Sequence, residues 1–513
     1  HMEDVPPLHV YLSILKACQT EKSLFHVKFI QSHLSSHKVD ISGFLGDYLV
    51  VSLAKCGAIE DALFLSRGLS YRSVFSWTAI ITSCTECGRY QDALALHRSM
   101  LDDLVEPDNF TYVSLFQACG NLYDVEEGRK LHGNACKKGY VSLSFVGNSL
   151  VSMYGKCGCV EESENVFTGL GERNIVSWNS MLVVYNEQNK TIKALRLYRQ
   201  MQEEGLMSNQ ATFVISLQIC GNLVEKQDLP NALDIGWALY SKARKNGFCS
   251  DLPISNAFLS MCSKCDTISE TENVFSCLFQ HDIISWNTMI SAYVEQGKGV
   301  KALQLYTKIY AISNELTLVM LLMACVIVAD EQETSIQNTK MIIFEIGQAI
   351  HRDACINGFA SDTMFGTSLV TFYGKCGMID EAEDVFTRLP QQHNIVSWNT
   401  MLSAYVEQGQ GARALQLYRQ MHEEGVKTDV LSFTIALRAC TLLVITALEI
   451  GEGLHSDARK KCFDSDIFLG NALIHMYTKF GVIAAAENVF YQLSECGELS
   501  LAAMLSAYAE LHE

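Results

Sequence analysis

The sequence predicts an all-α fold, a superhelical solenoid of helix-turn-helix repeats, and three observations predict it. Four of the five tryptophans, Trp77, Trp178, Trp286 and Trp398, stand in one motif, which reads Ile-Val-Ser-Trp-Asn from Ile395. They recur at intervals of 101, 108 and 112 residues. Two further motifs recur between them. One is Lys-Cys-Gly or a close variant, beginning at Lys55, Lys156, Lys264, Lys375 and Lys479, followed by Glu-x-Val-Phe at Glu164, Glu272, Glu383 and Glu487. The other is a Gly-x-x-Leu-His-like run, as at Gly128 to His132, Gly347 to His351 and Gly451 to His455. Three repeat types cycling in fixed order mark a solenoid. They are named here the tryptophan, lysine and histidine repeats.

Each repeat reads as two helices. From Ile395 to Asp429, Trp398, Met401, Leu402 and Tyr405 form one apolar face at spacings of three and four. Gly409 and Gly411 break the chain, and Ala414, Leu415, Tyr418 and Met421 form a second face that Gly425 ends. Two helices cannot cover both faces, so neighbours must stack. The aromatic stripe is therefore read as core, with no cofactor implied.

Composition fits one continuous array. The 513 residues are 49% hydrophobic and 19% charged, with 6 prolines and no Gly/Ser tract to act as a linker. The 19 cysteines recur at fixed helical places, such as Cys18, Cys119, Cys220, Cys325 and Cys440, as buried thiols do in a reducing compartment. The longest apolar stretch, Leu316 to Ala329, is too short to span a bilayer. Residues 1–7 read as a tag remnant and lead-in, since His1-Met2 resembles an expression scar.

Catalytic motifs are not met. There is no phosphate-binding P-loop, dinucleotide fingerprint or nucleophile elbow. His422-Glu-Glu424 matches His-x-Glu, while Cys84-x-x-Cys87 and Cys262-x-x-Cys265 match Cys-x-x-Cys. All lie inside ordinary repeats, and the deaminase order of His-x-Glu closely followed by Cys-x-x-Cys is absent. The reading is a non-enzyme with neither metal nor cofactor.

The pattern Trp-x-x-Met-Leu-x-x-Tyr lies near the tetratricopeptide consensus, but Leu402 replaces its glycine and repeat lengths vary as 35, 31 and 35 residues. That combination resembles the pentatricopeptide repeat (PPR) proteins of the plant P-L-S class, from about Leu8 to the end. The resemblance implies a right-handed α-α superhelical solenoid of about 14 repeats over residues 8–497, with a partial P repeat over 498–513 and no E or DYW domain in this chain. Histidine (L) repeats begin at Leu8, Asn109, Gln210, Glu315 and Val430; lysine (S) repeats at Gly43, Ser144, Leu252, Thr363 and Ile467; tryptophan (P) repeats at Val74, Ile175, Ile283 and Ile395. The repeats from Gln210 and Glu315 are overlong, and their extra segments near Glu225–Leu229 and Asp330–Lys340 are expected to be loops. The repeat from Ile283 is three residues short, which is expected to disturb its stacking.

In this family each repeat presents one base with two side chains, the fifth residue of its first helix and its last residue. Carried over, the pairs are Asp47 with Ser73, Thr78 with Asp108, Asn148 with Asn174, and Asn179 with Asn209. They continue as Asn256 with Asp282, Asn287 with Asn314, Thr367 with Asn394, Asn399 with Asp429, and Asn471 with Gly497. Such short polar residues also favour helix caps and turns for backbone reasons alone, which is the competing reading. The histidine repeats from Asn109, Gln210 and Glu315 place Val113, Val214 and Val319 there, and valine cannot bond a base edge, so these repeats read as spacers, with Thr434 and Asp466 of the repeat from Val430 as the exception. The apolar residues Phe145, Val176, Ile284, Val396 and Phe468 would wedge against bases. Lys55, Lys156, Lys264, Lys375 and Lys479 would face phosphates. The tryptophan repeats place Glu86, Glu187, Glu295 and Glu407 at the corresponding point, which thins that basic stripe.

The resemblance thus implies a sequence-specific binder of single-stranded RNA in a plastid or mitochondrion, serving C-to-U editing-site recognition or RNA processing with proteins acting in trans, and with no membrane role. Its code implies G at Thr78, pyrimidines leaning to C at Asn148 and Asn179, and U at Asn256. A pyrimidine follows at Asn287, A at Thr367 and U at Asn399. The net charge of −18 favours a different class, a protein-interaction scaffold like the tetratricopeptide solenoids.

Overall fold

The computed structural model describes residues 6–511 except 38, 42, 70–71, 226–231, 249, 265–267, 279, 310–312, 331–336, 361, 390–393, 444–446, 464 and 494–497. Among the described residues there are 29 α-helices and one 3-10 turn, and no strand. The chain divides into two compact units, His1–Cys265 and Asp266–Glu513. The fold is an all-α array of helix pairs.

Within the first unit a full cycle runs from Asn109 to Glu203. Helices Asn109–Leu122 and Val125–Lys137 form a histidine repeat, Ser144–Lys156 and Val160–Gly169 a lysine repeat, and Ile175–Glu187 and Thr191–Glu203 a tryptophan repeat. Local chemistry sets these bounds. Asp108 accepts from the Thr111 N–H at 2.8 Å in a reciprocal capping box. Asn174 accepts from the N–H groups of Val176 and Ser177, both at 3.1 Å. The turn inside each repeat needs left-handed backbone: Gly158 has φ 76° and Gly409 φ 71°. Asn189 takes that place in its own repeat at φ 56°, asparagine being one of the few other residues that adopts it readily.

First helices of successive repeats pack side by side. Asn109–Leu122 lies on Ser144–Lys156, which lies on Ile175–Glu187. In the second unit Glu315–Asp330, Thr363–Cys376 and Ile395–Glu407 repeat the arrangement. The aromatic stripe is core: Trp178 and Trp398 are fully buried and stand edge-on to Phe167 and Phe386, with ring centroids 5.2 Å apart in both cases. Four of the five lysine repeats carry glycine where tryptophan repeats carry Trp, and the one from Leu252 carries Ser255. A Cβ added at Gly147 would lie 2.3 Å from Leu170 Cδ2, and one at Gly366 2.2 Å from Leu389 Cδ2, so a leucine fills that space instead.

The other recurrent residues are seam contacts. His132, His351 and His455 each meet, through Nδ1 at 2.9 Å, the hydroxyl of Tyr154, Tyr373 or Tyr477 in the following repeat. The glutamate of Glu-x-Val-Phe accepts from the next repeat in the same way. Glu164 takes the Tyr185 hydroxyl at 2.9 Å and Lys193 Nζ at 2.7 Å, and Glu383 takes the Tyr405 hydroxyl at 2.7 Å and Arg413 at 3.1 Å. Burial, reinforced by the Glu272 carboxylate, pushes the equivalent Tyr293 hydroxyl up to about 12.

Three features bear on the sequence expectation. The segment near Glu225–Leu229 is described only at Glu225, where helix Gln210–Glu225 ends. The segment near Asp330–Lys340 is helical at both ends, Glu315–Asp330 running to Asp330 and Gln337–Asn357 already including residues 337–340. The physical reason is length. Both first helices have 16 residues against 14 in Asn109–Leu122, and Gln337–Asn357 has 21 against 13 in Val125–Lys137. The remainder of each segment lies outside the described residues. Next, the second helix of the short repeat from Ile283 is described over Gly299–Ile309, with residues 310–312 outside the described ones. Trp286 is only half-buried, against Phe275 and His281 at 4.9 and 5.2 Å. Finally, the repeat placed at Gly43 starts its helix at Phe44.

Cys18, Cys119, Cys220, Cys325 and Cys440 are buried free thiols. Burial pushes Cys119, Cys220 and Cys325 up to about 12, so at neutral pH they pack as small hydrophobes rather than react. No helix among the described residues is long and apolar enough to cross a membrane.

Candidate nucleic-acid interface

The seam after each tryptophan repeat is built from three residues. The last residue of the repeat caps the next helix, the fifth residue of the repeat's own first helix reaches it, and the third residue of the next helix closes the network. Asn399 donates from Nδ2 to Asp429 Oδ1 at 3.1 Å, while the Ser432 hydroxyl donates to Asn399 Oδ1 and the Ser432 N–H to Asp429 Oδ1, both at 2.8 Å. Asn179, Asn209 and Thr212 make the same three bonds at 3.1, 2.8 and 3.0 Å. Asn287, Asn314 and Thr317 make them at 3.2, 2.7 and 3.0 Å. Thr78 lies 3.4 Å from Asp108 Oδ1 and 2.6 Å from the Thr111 hydroxyl. Burial raises the Asp429 carboxyl, but bonds from Ser432 and Asn399 outweigh it and hold it below the usual range. It is an anion at neutral pH with Oδ1 committed to the cap.

Seams after lysine repeats differ. Asn148 is buried and its Oδ1 has no hydrogen-bond partner, because the Ser177 hydroxyl at that seam turns to Asn174 Oδ1 at 3.2 Å. Thr367 donates to its own helix, to the Thr363 carbonyl at 2.7 Å, and Asn394 caps the next helix by accepting from the Ser397 N–H at 2.9 Å. Asp47 accepts from the Ser76 hydroxyl at 2.5 Å and lies 3.5 Å from the Ser73 N–H. Asn256 is buried at the end of the first unit, and Asp282 caps helix Ile283–Glu295 in the second by accepting from the Ser285 N–H at 2.8 Å. Asn471 Oδ1 is buried without a hydrogen-bond partner, and Gly497 lies outside the described residues.

The apolar residues named by sequence are solvent-facing: Phe145 is 41% exposed, Val176 54%, Ile284 58%, Val396 57% and Phe468 76%. They share one helical position across five repeats as water-facing apolar side chains, the kind of surface that marks an interaction site. The lysines are tethered beside the same seams. Lys156 donates to Asn121 at 2.8 Å, Lys55 to Gln19 at 3.3 Å and Lys264 to Asn222 at 3.4 Å. Lys375 lies between Asp330 at 3.3 Å and Glu407 at 3.2 Å; burial lowers its ammonium, and the two carboxylates more than restore it. Lys479 is exposed at the end of helix Ile467–Lys479.

Three pockets gather these groups. The first, of about 450 Å³, is lined by Phe145, Asn148, Lys156, Asn174 and Val176 among others. A second, of about 320 Å³, holds Lys375, Val396, Asn399 and Asp429, and a third, of about 500 Å³, Asp47, Lys55 and Ser73. In each pocket a polar pair, an apolar side chain and a lysine share one open cavity. The third pocket takes its apolar wall from Phe44 and Phe75, which the sequence reading passed over. It also passed over Phe110, Leu316, Met364 and Leu431, exposed at the second helical position that Val176 occupies. That shared position was the available signal. The bonding hydroxyls of Thr111, Thr212, Thr317 and Ser432 were missed too, since nothing but spacing from the cap marks them.

Cys84 is buried and Cys87 exposed, so that motif does not present two thiols to one ligand. Among the described residues no group of His, Cys, Asp and Glu has the geometry to hold a metal.

The PPR repeat family matches residues 72–121, 173–222 and 393–441, and the PPR repeat matches 148–175, 284–309 and 367–392. A pentatricopeptide repeat-containing protein of Arabidopsis thaliana is 28% identical over 503 residues, which cover 97% of this chain and 70% of that protein. A second from that plant, named chloroplastic, is 28% identical over 474 residues, covering 91% and 72%. A third is 30% identical over 457 residues, and the chain spans 59% of its length. The crystal structure of the pentatricopeptide repeat protein PPR10 from maize is similar with a TM-score of 0.61 at 18% identity, over 99% of this chain and 77% of that one. PPR10 in complex with an 18-nt psaJ RNA element gives 0.55 at 17%, over 99% and 78%. With matches to the repeat spread from residue 72 to residue 441 of an array of helix pairs, the chain carries pentatricopeptide repeats.

Proposed function

We propose that the protein binds single-stranded RNA in a sequence-specific way, one base at each seam that follows a tryptophan or lysine repeat, with the histidine repeats as spacers. The observation that carries this is the pocket bounded by Phe145, Asn148, Lys156, Asn174 and Val176, where a flat apolar wall, two amides and a cation face one cavity. Unstacked bases are recognised by such walls and by short polar groups on their Watson–Crick edges, and phosphates by lysine. Capping decides which atom the last residue offers. Its Oδ1 is held by the helix N–H, so Asp429 keeps Oδ2 to accept the ring N–H of uracil, while Asn174 keeps Nδ2 to donate to the ring nitrogen of cytosine. The cap and the base reader are then one residue in two roles.

The chain fits the P-L-S class, whose role would be recognition of C-to-U editing sites or RNA processing in an organelle, with partner proteins acting in trans and no catalytic group of its own. Relatives named chloroplastic and mitochondrial support that location, and the RNA complex of PPR10 supports the ligand. A protein-interaction scaffold is the second reading, favoured by the −18 charge and by the carboxylates flanking Lys375. The two separate in a filter-binding assay with an RNA carrying the order GNCCNUYNAU and a scrambled control, at low and moderate salt. The expected result is tighter binding of the ordered RNA, weakening as salt rises. Equal affinity for both RNAs removes the base code, and no binding at low salt leaves the scaffold.

A further inference from the structure

Four tryptophan-repeat seams share a contact that the lysine-repeat seam at Asn148 lacks, although the lysine-repeat seam at Asp47 has it from the Ser76 hydroxyl. At each of the four, a hydroxyl at the third position of the next helix bonds the fifth residue of the repeat: Thr111 to Thr78 at 2.6 Å, Thr212 to Asn179 at 2.8 Å, Thr317 to Asn287 at 2.7 Å and Ser432 to Asn399 at 2.8 Å. For the three asparagines this settles the amide. Oδ1 faces the hydroxyl, and Nδ2 faces the Oδ1 of the cap residue, which is itself fixed as an acceptor by the helix N–H. Turning the amide over would set two acceptor oxygens against each other. These hydroxyls also reach the cap Oδ1, at 2.8 Å for Thr212 and Ser432 and 2.7 Å for Thr317. The equivalent hydroxyl of Ser177 reaches the cap but not Asn148, whose Oδ1 is left buried without a hydrogen-bond partner.

We infer that Thr212, Thr317 and Ser432 are specificity-determining residues that act by positioning: each holds the base-reading amide in one orientation, so seams after tryptophan repeats discriminate bases more sharply than the seam at Asn148. The inference rests on the RNA-binding reading above. An amide held with Oδ1 on the hydroxyl keeps the second hydrogen of Nδ2 to donate and does not turn over to present its carbonyl to the ring N–H of uracil, so cytosine is favoured at Asn179. The Asn148 amide has no hydroxyl holding its Oδ1 and can turn over to present either its donor or its acceptor, so the Asn148 seam takes either pyrimidine.

The test uses the whole chain and RNAs of the order GNCCNUYNAU in which the C facing Asn179 or the C facing Asn148 is changed to U. In the wild type the preference for C over U is expected to be larger at Asn179 than at Asn148. Thr212→Val, which keeps the shape and removes the hydroxyl, is expected to lower the preference at Asn179 by about fivefold. Affinity for the all-C RNA should fall by less than about threefold, the scale of a lost cap contact. Thr212→Ser should restore the preference, and Ser177→Ala should leave the one at Asn148 unchanged. A purely structural role would weaken C and U alike. If the wild type binds and discriminates but Thr212→Val keeps the full ratio, the inference fails and RNA reading stands. If the wild type shows no preference at Asn179, both fall.

Discussion

Replacing Trp398 by alanine is expected to destabilise the second unit of the chain by about 3–5 kcal/mol, the usual cost of emptying a fully buried indole site. Trp398 has no exposed surface and stands edge-on to Phe386 of the preceding repeat, so the cavity opens at a seam rather than inside one helix pair. In an array stabilised by neighbour contacts, a lost seam uncouples the repeats on either side. Urea unfolding followed by circular dichroism should show a lower midpoint and an added early phase. The same change at the half-buried Trp286 should cost less, and equal losses at the two sites would contradict the packing described.

Phe145→Ala combined with Val176→Ala should act in the opposite sense, on binding and not on folding. Both side chains face water across one pocket, at 41% and 54% exposure, so little core is lost with them. Stacking of a base on such a wall is worth about 1–3 kcal/mol, which puts the expected loss of RNA affinity at about 10- to 100-fold. The thermal midpoint should stay within a degree or two of the wild type. Unchanged affinity for the ordered RNA would show that bases do not enter that pocket.

The helix pairs were legible because apolar spacing and glycine placement are local signals. Trp398, Met401, Leu402 and Tyr405 mark one face whatever the rest of the chain does, and Gly409 marks a turn because only a few residues tolerate its backbone. The long helices through Glu225 and Asp330 were not legible as such. An insertion shows in sequence as extra length, and length alone does not distinguish a loop from added helix. At the candidate site, residue identities were legible and their bonds were not. Asn148 and Asn179 look alike in sequence, yet one carbonyl is buried unbonded and the other is held by Thr212. That difference arises from which way the hydroxyls of Ser177 and Thr212 turn, and this depends on how two repeats meet. The competing reading of the polar pairs as helix caps is also physically right, since Asn174, Asn394 and Asp429 all cap helices.

The most direct measurement exchanges one atom at one seam and reads one base. Asn394 caps through Oδ1, which leaves Nδ2 as a donor suited to the acceptor N1 of adenine; Asn394→Asp would put an acceptor in its place, suited to the N1–H of guanine. Wild type and variant should be titrated against RNAs with A or G opposite Thr367. The expected result is a crossed preference, A for the wild type and G for the variant, by about tenfold each way. A preference that stays with A, or a uniform change for both RNAs, would contradict base reading by the paired side chains.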